Sequence, residues 1–274
     1  VSLEQLRRRA HLLGELRFAA TLQDMRSVIV LHRELAQDLP RSRPWWSVGA
    51  GRGSPSWQRD WRGIARWPVS RMLRVVTLSA VAGLICAGVW NGTYALVIVG
   101  GVVVFVIGID AVEGLAQETD HPVLPRQYPV RWGDLALAHL VAPSVLLIGL
   151  GVIGGLVFWL VSGETVVLAV AGLMLVPLAL AGTAGAALSV LLGAPPPTLF
   201  LDVGFPEFTT LFLIIRQTVA PLVVIAAFAP AAAASYASTN GGSPAGAALI
   251  ALLLPLVLVV TATTFFRSRR TVNA

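Results

Sequence analysis

The 274-residue chain is 56% hydrophobic and only 12% charged, with a mean hydropathy of +0.77, whereas an ordinary soluble protein carries charge on about a quarter of its residues. That composition excludes a typical soluble domain and predicts an all-α polytopic membrane protein. All 20 basic residues are arginine, and the absence of lysine excludes a P-loop ATPase, whose phosphate-binding loop requires that side chain.

Residues 1–40 predict a cytoplasmic amphipathic helix in which Phe18, Leu22, Met25 and Ile29 form an i, i+4, i+7, i+11 stripe. It would either lie on the membrane or dock another subunit. The first 70 residues hold no apolar core of a cleavable signal peptide. Residues 41–56, "RSRPWWSVGAGRGSPS", predict a flexible Gly/Pro/Ser-rich linker.

Residues 57–71, "WQRDWRGIARWPVSR", hold three tryptophans and four arginines immediately before a long apolar run. Wound as a helix, Trp57, Trp61, Ile64 and Trp67 fall within a sector of about 120°, and Arg59, Arg62 and Arg66 within about 60° opposite. The charged face excludes burial in a core and the length excludes a span. The stretch therefore predicts a helix on the membrane surface, with indoles at headgroup level and guanidinium groups toward water and lipid phosphate; the alternative is a soluble amphipathic helix packed on another domain.

Apolar stretches long enough to cross about 30 Å of hydrocarbon predict six spans, near 72–91, 94–112, 135–161, 165–192, 207–230 and 245–266. The first two read as a helical hairpin, with one re-entrant element as the alternative. "GVIGG" (151–155) and "AGTAG" (181–185) offer small-residue spacings for close helix contact. Fourteen arginines stand before or at the start of span one, Arg126 and Arg131 lie between spans two and three, and Arg267, Arg269 and Arg270 follow span six. The outer loops predicted at 91–93, 162–164 and 231–244 hold none. The positive-inside rule then puts both termini, including the tail 267–274, in the cytoplasm of a plasma (inner) membrane protein. The net charge of +6 thus reflects topology and anionic lipid, and nucleic acid is not an expected partner.

Polar residues within or beside spans point to function, because the membrane tolerates them at a cost. Span two ends in "GIDAVEGLAQETDHP" (108–122), with Asp110, Glu113, Glu118, Asp120 and His121 before Pro122. Carboxylates at a helix C-terminus oppose its dipole, so a cationic partner is expected, and the arginine face of 59–66 is the nearest in sequence. Solvated loop charge is the alternative. His121 with flexible carboxylates makes a weak metal site, since no second histidine stands at helical spacing. No G-x-S-x-G or Ser/His/Asp spacing points to nucleophilic catalysis. His139 reads as a hydrogen-bonded packing residue. Arg216 lies nine residues after Glu207, about 14 Å along a helix, and either pairs with Glu207 or Asp202 or lines a substrate path. Cys86 is the single cysteine, so no intrachain disulfide is possible.

"RDWRGIARWP" leading into span one and "GLAQETDHP" closing span two resemble actinobacterial permeases of the type-2 ABC exporter superfamily, distantly like G-subfamily transporters. The resemblance is specific over roughly 57–134 and topological over the rest of 72–266. It implies a permease subunit with no ATPase activity or cofactor of its own, working with a second permease copy or homologue. ATP and magnesium would belong to a separate nucleotide-binding subunit. By this likeness 57–71 is a connecting helix, with Trp57, Trp61, Arg62, Arg66 and Trp67 its characteristic side chains. Residues 113–134 would form the coupling element that meets the ATPase, with Glu113, Glu118, Asp120, His121, Arg126 and Arg131, and Glu113 or Glu118 would bond the connecting helix. Apolar spans with one buried charge favour a hydrophobic or amphipathic cargo. The alternative is an accessory subunit of a larger assembly such as a respiratory complex, but no mid-span haem-ligand histidine or proton-relay carboxylate is present.

Overall fold

Pro68 divides the tryptophan-rich stretch from the first apolar run, because it lacks an N–H and keeps the preceding residue out of the helical region. The computed structural model describes residues 43–47, 54–120, 131–192 and 206–268. Before the proline, α1 spans Pro55–Ile64, capped by Ser54, whose hydroxyl accepts from the Trp57 amide at 3.3 Å. After it, α2 runs Val69–Trp90. The single helix expected over 57–71 is therefore two helices joined by a turn. Arg71 belongs to the first turn of α2, and α1 begins inside the stretch predicted as linker. Part of that linker is anchored. The Trp45 indole donates to the Trp67 carbonyl at 2.9 Å, and Trp46 and Trp57 both pack edge-on against Trp61.

The 22 residues of α2 extend about 33 Å, enough to cross a bilayer. After a turn through Gly92, α3 (Leu96–Ala111) returns, breaks at Val112 and continues as α4 (Glu113–Asp120) at 61° to it. Next come α5 (Trp132–Ala138), α6 (Val141–Ser162) and α7 (Val166–Leu192). Helices α8 (Pro206–Ala226), α9 (Ala229–Thr239), α10 (Pro244–Ala251) and α11 (Leu253–Ser268) complete the described chain. Among the described residues, five segments are long and apolar enough to cross a membrane: Val69–Trp90, Trp132–Ser162, Val166–Leu192, Gln217–Thr239 and Pro244–Ser268. Among those residues the bent pair α3–α4 supplies a candidate sixth. The chain is a multi-pass helical membrane protein.

One expected loop is absent. Most of 231–244 is α9, "APAAAASYAST", and only the residues between Thr239 and Pro244 remain as turn. Alanine has the highest helix propensity, and Pro230 falls in the first turn, where its missing N–H leaves no bond unmade. The helical stretch that begins at Pro206 accordingly continues through α9 to Thr239, beyond the expected end at 230.

Helix α7 is the centre of the bundle, packed against α3, α6, α8 and α11. Its Ala181–Ala187 run is wholly buried, so the "AGTAG" spacing does serve close approach. A side chain at Gly108 of α3 would strike the Gly182 carbonyl. On α2 and α6 the same is true of Gly83 against the backbone of Gly154. Buried polar side chains here are satisfied: the Thr183 and Ser144 hydroxyls lie 3.0 Å apart, so one donates to the other while the accepting hydroxyl donates to a carbonyl one turn back.

Candidate site: a polar clamp beneath the surface helix

The wheel that puts three tryptophans on one face of 57–71 also puts Asp60 at about 300°, inside that apolar sector. The structure buries it there, at 6% exposure. Its carboxylate faces His139, whose Nδ1 lies 2.9 and 3.0 Å from the two oxygens. A carboxylate accepts, so the imidazole proton belongs on Nδ1. His139 follows α5 and is 1% exposed. Its other nitrogen, Nε2, is 3.9 Å from Glu118 Oε1, too long for a hydrogen bond but within range of charge. Glu118, on α4, is wholly buried and takes the Arg59 guanidinium of α1 on Oε1. Glu118 Oε2 has no hydrogen-bond partner among the described residues. Two consecutive residues of α1 thus grip two different elements, α4 through Arg59 and the α5–α6 junction through Asp60.

The contact is close because Gly114 of α4 has no side chain; a Cβ there would overlap Asp60 Oδ1. Burial holds the Asp60 carboxyl above its ordinary value of 3.8, opposed by the hydrogen bond and charge of His139 and by the charge of Arg59.

A second set of ion pairs lies beside the first, where α2 begins. Arg71 donates from Nη1 to Glu113 and from Nη2 to the Asp110 carbonyl at 2.5 Å, and its guanidinium stacks 4.3 Å from the centre of the Trp67 ring. Arg74 donates to both oxygens of Asp110 at 2.6 and 2.7 Å. The carbonyl groups at the end of α3 and the acids beyond it therefore do face cations, as the helix dipole requires.

These contacts redistribute the residues expected at the site. Glu113 and Glu118 are both present, but the guanidinium groups seated on them are those of Arg71 and Arg59. Of the arginine face expected to hold these acids, Arg59 is seated on Glu118, whereas Arg62 and Arg66 are exposed. Trp57 and Trp61 are half-buried and packed together, whereas Trp67 is buried rather than set among headgroups. Arg131 is exposed just before α5. His121 and Arg126 lie outside the described residues, as do the side chains of Asp120 and Arg216. Among the described residues no three His, Cys, Asp or Glu side chains are grouped to hold a metal. Asp60 was missed by sequence reasoning, although its place in the apolar sector was the available signal. Arg71 was missed because a continuous helix was expected through Pro68.

One cavity lies beside these contacts and another deeper in the bundle. The first, of about 240 Å³, lies between α1, the 65–68 turn and α4. The other, of about 70 Å³, is apolar and lies between α2, α6 and α7, with Cys86, Met174 and Phe228 in its wall. It is far below the roughly 300–1,000 Å³ of a pocket for a drug-sized molecule.

Bundle and clamp together define a multi-pass helical membrane protein whose tryptophan-rich helix is fastened to α4 by an ion pair and to the α5–α6 junction by a buried Asp–His hydrogen bond. Compared with known proteins, the chain matches no family model, no curated protein and no solved structure.

Proposed function

We propose that the chain is the transmembrane permease subunit of an ATP-driven exporter of the ABC type, with ATP hydrolysis and its magnesium in a separate nucleotide-binding subunit. The observation that carries the reading is the clamp: Arg59–Glu118 fastens α1 to the segment 113–134 that would meet the ATPase, and Asp60–His139 fastens it to the α5–α6 junction. In this reading α1 lies at the cytoplasmic membrane surface, the α3–α4 pair is the sixth span, and both termini are cytoplasmic. Closure of the ATPase subunits pushes on 113–134, and the push reaches α1, α5 and α6 together because a buried pair resists separation. Removing one member of a fully buried pair costs about 3–5 kcal/mol, and less where one partner is exposed, as Arg59 is at 38%.

The small volume of the apolar cavity supports a path formed between two permease units rather than within one. A hydrophobic or amphipathic cargo suits walls with so little charge. The test is ATP hydrolysis by the purified chain alone and by the complex isolated from its own membranes. The complex should hydrolyse ATP and the chain alone should not. Specific hydrolysis by the isolated chain would overturn the proposal, and a complex without any ATPase would favour an accessory subunit of another assembly.

A further inference from the structure

The 240 Å³ cavity beneath α1 is used by none of these steps. From its lining we infer that it is a binding site for the phosphate group of an anionic membrane lipid. Three guanidinium groups line it, those of Arg59, Arg66 and Arg71, against two carboxylates, Asp60 and Glu113. Both carboxylates are already engaged, Asp60 by His139 and Glu113 by Arg71. One guanidinium remains accessible: Arg66 lines the cavity with an exposed side chain. A cation entering would meet the positive excess. An acceptor-only tetrahedral anion would meet the Arg66 guanidinium in a charge-assisted contact, with the positive charge of Arg59 and Arg71 in the same lining.

The site's position selects a lipid as the source of that phosphate. The lining includes Trp67 and Pro68, the last residues before the first apolar segment. The next residue, Val69, and Leu73 one turn further along expose their side chains, at 59% and 63%. These neighbours on one face of α2 offer a wall for acyl chains directly beside the headgroup cavity. Basic pockets at the ends of membrane helices hold lipid phosphates in this way. The inference stands apart from the coupling role, since the binding can be read on the chain alone.

The experiment uses the full chain in mild detergent, relipidated with phosphatidylglycerol or phosphatidylcholine at equal mole fraction. Melting temperature and the number of lipids retained in native mass spectrometry are measured together. Phosphatidylglycerol should raise the melting temperature more than phosphatidylcholine and remain bound at about one copy. Arg66→Gln should weaken its retention about ten-fold, the loss of a charge-assisted contact. Arg267→Gln, at an exposed arginine near the other end of the chain, should not. Equal effects of the two lipids, or full retention by R66Q, would overturn the inference. Inorganic phosphate reproducing the whole shift without lipid would overturn its assignment to a membrane lipid.

Discussion

Asp60 and His139 form the pair on which the clamp most depends, and their chemistry gives it a pH signature. Burial raises the folded-state pKa of Asp60 above the unfolded value of 3.8, so the folded chain binds this proton more tightly than the unfolded one. Its contribution to stability therefore falls as pH rises from 3.8 through the folded pKa, and is flat above it. The melting temperature of the wild type relative to Asp60→Asn should accordingly decline across that window; a difference that rises with pH would contradict the burial argument. At neutral pH, His139→Ala should destabilise the fold by about 3–5 kcal/mol, because the carboxylate stays buried without its partner. The double variant Asp60→Asn/His139→Ala should cost less than the two single losses added, and thermal unfolding of all three forms checks this. The sequence held part of this pair in view. His139 is legible as a buried, bonded histidine, and Asp60 as an acid out of place on an apolar face. That the two meet, 79 positions apart, depends on tertiary packing that no local pattern encodes.

The elements divide into those that periodicity specifies and those that breaks decide. Long apolar runs such as Val166–Leu192 give their helices directly, since length and hydropathy suffice. The errors fall at prolines and alanines: Pro68 splits 57–71, while the alanine run keeps α9 helical where a loop was expected. Arginine assignment followed the same error, because a helix continued through Pro68 misplaces Arg71. The angle of α1 against α4 rests on Gly114, which gives an expectation at this scale. Gly114→Ala should force Asp60 away from α4 and lower the yield of folded protein. Gly63→Ala, whose added methyl meets nothing within 4 Å, should be neutral or stabilising by up to about 1 kcal/mol, as alanine is in a helix. Fluorescence-detected size exclusion of the two variants compares them. Equal loss, or loss in Gly63→Ala alone, would show that the close contact at Asp60 is not what positions α1.

For the whole molecule, the class of protein was legible from composition, and the proposed orientation rests on where the arginines fall. With Cys86 replaced, a cysteine at Ser162 or Ser243 should react with an impermeant thiol reagent in intact cells, and one at Gln127 should not; labelling at 127 from outside would reverse the orientation. The central claim is that the clamp passes force between the ATPase and the membrane helices. It is tested most directly by the ATP hydrolysis rate of the assembled complex in lipid nanodiscs, compared among wild type, Arg59→Gln, Glu118→Gln and the double variant at equal assembly. If the pair acts as one connection, each single change should slow hydrolysis on the order of ten-fold, and the double change should be no worse than either, because contacting residues are not additive. Wild-type rates in Glu118→Gln, or single effects that multiply in the double variant, would contradict the account.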